Sequence, residues 1–191
     1  RVRSHGSGTL LIRGGAGTGK STALRERVSH LSAPDLDPSK IAVITSTDRS
    51  AAAHRLRLEE ILPGPYEALS VFTWEGLAED ILRHRPIEAG LGPSFEVVGA
   101  AERLAMLLAR VDELPLRNHE IRGNPAGLLR ELLVGIDRAK REGEDGGELA
   151  DLIEVHDRIL AAADLLDRNV LPRIATDLLG DPAIAAEVAR R

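Results

Sequence analysis

Gly14-Gly15-Ala16-Gly17-Thr18-Gly19-Lys20-Ser21-Thr22 is the stretch whose reading decides the fold. It fits the G-x-x-x-x-G-K-[ST] spacing of a phosphate-binding loop, with the outer glycines at Gly14 and Gly19. Thr9-Leu10-Leu11-Ile12 ahead of it reads as a short buried strand, and Ala23 to Leu31 behind it carries Leu24, Val28 and Leu31 at helical spacing. A strand that passes through glycines into a helix N-terminus aims backbone N–H groups at one point. The helix dipole adds partial positive charge there. Triphosphate oxygens fit such a cup. Lys20 is placed to reach the β- and γ-phosphates and the Ser21 hydroxyl to ligate Mg²⁺.

The rest of the composition sets limits. A length of 191 residues allows one domain, or one domain with a sizeable insertion. The hydrophobic share is 43% but aromatics are only 2%, so any core must be aliphatic. With no cysteine there are no disulfides and no thiolate metal sites, which agrees with a reducing, cytoplasmic setting. No apolar run approaches membrane-spanning length. The six histidines show no metal-ligand spacing, so no zinc is expected. A net charge of −5 confines nucleic-acid contact to a local patch. The chain opens at Arg1, stops at Ala189-Arg190-Arg191 inside a helical pattern, and shows no apolar strand ending in Asp-Glu after residue 45. It reads as a piece of a longer protein.

Along the chain, residues 32–40 read as a loop. Ile41-Ala42-Val43-Ile44-Thr45 reads as a second strand and Leu69-Ser70-Val71-Phe72-Thr73 as a third. Asp48 is a suitable N-cap for a helix over 49–62, which Pro63-Gly64-Pro65 ends. Thr73 can cap a helix over 74–85. This β-α-β-α-β-α order demands a parallel sheet with right-handed crossovers. After Gly90 the character changes. Phe95 to Val98 is a short extended piece, and everything later is expected to be helical: 99–114, 125–141, roughly 148–168, and a last helix after Asp181-Pro182. The polar loop 142–147 is expected to be mobile.

At this point the chain resembles the UvrD/Rep/PcrA-like superfamily 1 DNA helicases. Gly14 to Thr22 matches their Walker A motif. Val43 to Ala51 lies where the family has a strand ending in Thr-Phe-Thr-Asn-Lys-Ala-Ala. Thr73-Trp74-Glu75-Gly76-Leu77 with Ile81-Leu82-Arg83 is similar to their Thr-Phe-His-Ser-Leu and Ile-Leu-Arg, and Asp137 to Gly143 to a Lys-Asn-Gly-type turn in their helical insertion. Ser46 stands where the family has a base-stacking aromatic, and Glu75 where it has histidine. The family's adenine-reading glutamine is not visible in residues 1–8.

The resemblance implies an α/β fold of the P-loop NTPase (RecA-like) type, a parallel sheet flanked by helices, with an all-helical inserted subdomain. Residues 1–90 would be a partial ATP-binding domain and 91–191 the helical insertion, the chain ending before Walker B. It implies ATP and Mg²⁺ as cofactors, single-stranded DNA and the remaining motor domains of a parent helicase as partners, and a role in repair or recombination. No catalytic residue falls inside the chain. Thr47 would bond a DNA phosphate with Arg49 beside it, or Thr47 and Asp48 simply cap a helix. Thr73 and Trp74 end the next strand, where α/β ligand sites gather. Trp74 either stacks on a base or packs. Arg55, Arg57, Arg83 and Arg85 with His54 and His84 form either a basic stripe or a solvated helix face. Two other classes use the same loop: a P-loop kinase and a non-catalytic ATP-binding module.

Overall fold

Ala42–Thr45 (β1) and Ser70–Thr73 (β2) pair in parallel, residue for residue, from Ala42 opposite Ser70 to Thr45 opposite Thr73. They are seen in a computed structural model, which describes residues 2–32, 37–62, 64, 69–116, 123–143 and 149–190. The helix Asp48–Glu59 (α2) makes the crossover, as parallel pairing requires. Thr47 caps it, its hydroxyl accepting from Ser50 N at 3.1 Å, so the cap lies one residue before the expected Asp48. Trp74–His84 (α3) follows β2 directly, with Gly76 N donating to the Thr73 hydroxyl at 3.1 Å. Pro63 and Pro65 of the expected breaker and most of the loop 142–147 lie outside the described residues.

The chain divides into two compact units, Arg1–Leu77 with Glu187–Arg191, and Ala78–Ala186. In the first, Lys20–Leu31 (α1) and α2 cover the strands. Val28, Val43, Leu58, Leu62, Leu69 and Val71 form a wholly aliphatic core. The expected strand at Thr9–Ile12 is not one. Among the described residues no strand pairs with it, and Leu11 is 73% exposed. A strand needs a ladder to satisfy its N–H and C=O groups. An apolar run without a neighbour stays irregular and wet.

The second unit corrects the expectation of helix alone. Glu96–Val98 (β3) pairs in parallel with Leu165–Asp167 (β4), a strand that the expected helix over 148–168 had absorbed. The helix there, Ala150–Ala161 (α6), stops early because Asp164 turns left-handed at φ 54°. The other helices are Ala100–Ala109 (α4), Pro125–Glu142 (α5) and Leu171–Leu178 (α7), and Pro182–Val188 (α8) spans the boundary at Ala186. Leu107, Leu129, Leu132, Leu133, Ile136, Leu152 and Ile159 interlock α4, α5 and α6 in one apolar cluster. These stripes are core, as helical spacing dictates.

Inside that unit lies a buried ionic network. Arg103 on α4 is fully buried. Its Nη2 lies 2.8 Å from Asp137 on α5 and its Nη1 3.1 Å from Asp167 at the end of β4. These are close ion pairs rather than well-aligned hydrogen bonds. Arg103 Nε donates to His156 Nε2 at 3.0 Å. Arginine has only donors, so Nε2 accepts and the His156 proton sits on Nδ1, 2.7 Å from Asp157. Lys140 joins on the other side, 2.5 Å from Asp157 and 3.8 Å from Asp167.

Candidate functional site

Gly14 to Thr22 folds as a turn that runs straight into α1, whose first residue is Lys20. The helix opens three residues earlier than the apolar spacing suggested, because Gly19 serves as its left-handed N-cap at φ 83°. No side chain caps it, so its first-turn N–H groups are left open for an external acceptor.

The four glycines have different physical causes. Gly17 and Gly19 have φ of 74° and 83°, and a Cβ there would meet nothing within 4 Å. Glycine is required at these two for conformation, since other residues enter the left-handed region at a cost. Gly14 is required for space, because a Cβ there would stand 2.5 Å from the Thr18 hydroxyl. Gly15 is pressed by neither constraint.

Lys20 turns back over the loop. Its ammonium donates to Gly14 O at 2.7 Å and to Gly15 O at 2.5 Å. Thr18 donates to Gly15 O at 2.9 Å, bracing the same peptide. One full positive charge therefore stands over a ring of backbone groups, next to the open end of a helix. Thr22 accepts a long hydrogen bond from Arg25 Nη2, 3.4 Å. The whole stretch is exposed.

The four candidate nucleic-acid residues lie at the carboxyl ends of β1 and β2. Parallel pairing with Thr45 opposite Thr73 puts both ends on one edge. Thr47 and Arg49 are exposed, and the Thr47 hydroxyl is engaged as the α2 cap. Thr73 is buried and caps α3, so its hydroxyl serves the fold. Trp74 is 63% exposed and does not pack as a core residue. The structure thus brings the four to one edge and leaves Trp74 and Arg49 as the side chains most open to a ligand.

The arginines of the proposed stripe are each engaged. Arg55 donates to Leu69 O, Arg57 pairs with Glu60, Arg83 with Glu79, and Arg85 with Glu88. The last three are short-range pairs, which mark a solvated face rather than a ready phosphate track. His54 and Arg25 were not picked out by spacing as a pair. The two lie on different helices, and only the packing of α1 against α2 brings them to one cleft.

A glycine turn with two left-handed glycines, an uncapped helix N-terminus and a lysine returned over the loop, set beside short parallel strands, defines an α/β protein with a phosphate-loop-like turn. The chain belongs to the UvrD/REP helicase N-terminal domain family, whose model matches residues 1–170. It is similar to DNA helicase II of Escherichia coli K12, 31% identical over 99 residues, which is 51% of this chain and 14% of that protein. It is similar to the ATP-dependent DNA helicase PcrA of Bacillus subtilis, 30% identical over 101 residues, 52% of this chain and 14% of that one. A longer match, 24% identical over 167 residues, joins it to the PcrA of Staphylococcus epidermidis RP62A, covering 84% of this chain and 23% of the relative. The chain spans less than a quarter of the length of these relatives. Among the described residues no helix is long and apolar enough to cross a membrane.

Proposed function

We propose that the chain is the ATP-binding portion of an ATP-dependent DNA helicase or translocase, working in DNA repair or recombination. One observation carries the reading: in a chain of the UvrD/REP family, the Gly14–Thr22 turn presents an uncapped helix N-terminus with Lys20 folded over it. The loop's donor set suits a polyphosphate. Backbone N–H groups of Gly17, Gly19, Lys20 and Ser21 face an anion, Lys20 supplies the full charge, and the Ser21 hydroxyl is the candidate Mg²⁺ ligand. Gly14, Gly15, Ala16, Thr18 and Thr22 complete the cup. Bound ATP would supply the phosphoanhydride whose cleavage drives movement. This chain's own part is to hold and orient it, and Lys20 must release Gly14 O and Gly15 O to do so.

In this reading the first ~90 residues belong to a RecA-like domain and the later ones to its inserted subdomain, with the remaining motor domains as partners. Single-stranded DNA lies across the carboxyl ends of β1 and β2, where Thr47 and Thr73 hold the helix starts and Arg49 and Trp74 are the side chains open to it. No Walker B carboxylate is identified in this sequence, so the chain itself binds nucleotide without ordinary turnover. Calorimetry of ATP–Mg²⁺ binding tests the reading. The wild-type chain binds and Lys20→Ala loses binding, because the amides alone lack a charge to oppose the phosphates. Equal affinity in the two proteins would refute it.

A further inference from the structure

Beside the glycine loop, and sharing Ser21 with it, the first unit holds a second set of donors, among which Arg25, Ser50 and His54 have no part in the nucleotide reading. A cleft of about 500 Å³ runs between α1 and α2, lined by Ser21, Arg25, Ser50, His54, Arg57 and Glu60, with Ala53 and Leu56 between them. Its size lies within the usual range for small-ligand pockets. Ser21, the second residue of α1, is among its lining, so the cleft adjoins the glycine loop.

The polar groups in this cleft are unbalanced. Arg25 makes one long bond, to Thr22, and has no carboxylate partner among the described residues. Arg57 and Glu60 satisfy each other at 2.9–3.1 Å. With that pair cancelled, the cleft carries one net positive charge, on Arg25. His54 is 8% exposed, and its Nδ1 is buried without a partner. Its other nitrogen, Nε2, is the one left for a ligand in the cleft. Burial, and then the charge of Arg25, lower the pKa of His54, which keeps the ring neutral at physiological pH and able to donate a hydrogen bond. The Ser21 and Ser50 hydroxyls make no side-chain hydrogen bond among the described residues.

An arginine, a neutral imidazole and two hydroxyls all offer donors into one concavity, and the only carboxylate there is already neutralised. Their shared missing partner is an oxyanion. We propose that the cleft between α1 and α2 is a second anion site, distinct from the glycine loop, that takes the phosphate group of a small ligand on Arg25, Ser50 and His54. A single unpaired cation suits one phosphate. Nucleic acid would call for a row of unpaired cations, and here Arg57 is spent on Glu60. The cleft exceeds the volume of one phosphate, so the ligand is either free phosphate or the phosphate end of a larger monoester.

The test uses the Lys20→Ala chain, in which the glycine loop is disarmed, and follows the His54 ring by NMR, assigned through His54→Gln. Inorganic phosphate and ribose 5-phosphate are titrated separately. His54 is expected to shift in a saturable way with both. Tighter binding of the ester identifies a phosphomonoester as the ligand, and equal binding identifies free phosphate. Arg25→Leu on the same background is expected to weaken the response at least about tenfold, the loss of one charge-assisted contact. If Arg25→Leu does not fold, Arg25→Lys takes its place and should weaken the shift, since lysine lacks the two-pronged donor. No saturable His54 shift with either probe, or a shift that survives unchanged in the Arg25 variant, overturns the proposal. The Lys20→Ala background separates this outcome from failure of the nucleotide reading, which rests on wild-type ATP binding alone.

Discussion

Arg103→Met should cost the second unit far more stability than a single side chain of its size ordinarily contributes. Methionine keeps most of the stem's volume, so the cavity term is small and the charge term dominates. Three groups lose their partner. Asp137 is partly exposed and can recover water. His156 Nε2 loses its donor inside a fully buried ring. Asp167 is the expensive one: it is 2% exposed, and its nearest remaining cation, Lys140, stands 3.8 Å away. Leaving one buried charge uncompensated costs about 3–5 kcal/mol. At about 1.4 kcal/mol per power of ten, that is a loss of about two to three and a half powers of ten in the unit's opening equilibrium. Trp74 lies in the other unit and would not report this, so the assay is hydrogen exchange of the amides in α4, α5 and α6, which reads local opening directly. The companion variant is Arg103→Met with Asp167→Asn. Asparagine keeps an oxygen to accept from Asn169 N, as Asp167 does at 3.0 Å, but carries no charge to strand. The double variant should recover most of the lost protection, a coupling that independent sites would not show. Protection in Arg103→Met equal to wild type, or a double variant no better than the single, would refute the claim that charge compensation holds this core.

Four further outcomes are expected. Burial raises the pKa of Asp157, but hydrogen bonds from His156 and Lys140 outweigh it and the net shift is downward from 3.8. The folded value being depressed, its stabilisation is present above the unfolded value and lost as pH falls through the folded one, so Asp157→Asn should flatten the acid limb of the unfolding midpoint. His54 is shifted downward from 6.5 in the folded state, so the unfolded chain binds a proton first and stability declines as pH drops below that value; His54→Gln should remove this decline from a urea series run between about pH 7.5 and pH 5. Gly19→Ala forces a side chain into φ 83° at a cost of about 1–2 kcal/mol, and calorimetry should show ATP–Mg²⁺ binding weakened by about five- to thirtyfold. Trp74→Ala in a full-length parent should reduce DNA-stimulated ATPase by removing a stacking surface worth about 1–3 kcal/mol per base, while nucleotide binding measured without DNA stays unchanged.

Much of the first unit was legible because its signals are local. Ile41 to Thr45 is an apolar β-rich run, Thr73 precedes an amphipathic stretch, and both features need only a window of a few residues to be seen. The glycine loop was legible for the same reason. What was not legible depends on partners distant in sequence. Thr9 to Ile12 has the composition of a strand, but composition cannot supply the neighbour that makes it one. Leu165-Leu166-Asp167 is too short to show alternation, and its pairing with Glu96 to Val98 spans about seventy residues. Nothing local in the sequence sets Arg103 apart from other helix charges. Its burial arises from Asp137, His156 and Asp167, which arrive from three separate elements.

The glycine loop shows how the same letter in a motif answers different physical demands. Gly17 and Gly19 are fixed by backbone angle, and Gly14 by the approach of Thr18. The structure gives no comparable reason at Gly15, where a Cβ meets open space. Gly15 does contribute its carbonyl, which accepts from both Lys20 and Thr18. Any residue can offer that oxygen. The loop therefore holds its shape through a backbone acceptor shared by a cation and a hydroxyl, and in the proposed reading an arriving phosphate would compete with Gly14 O and Gly15 O for Lys20 alone. The hydroxyl bond from Thr18 can persist when the lysine leaves, so the brace on the loop and the charge offered to the ligand are carried by separate side chains.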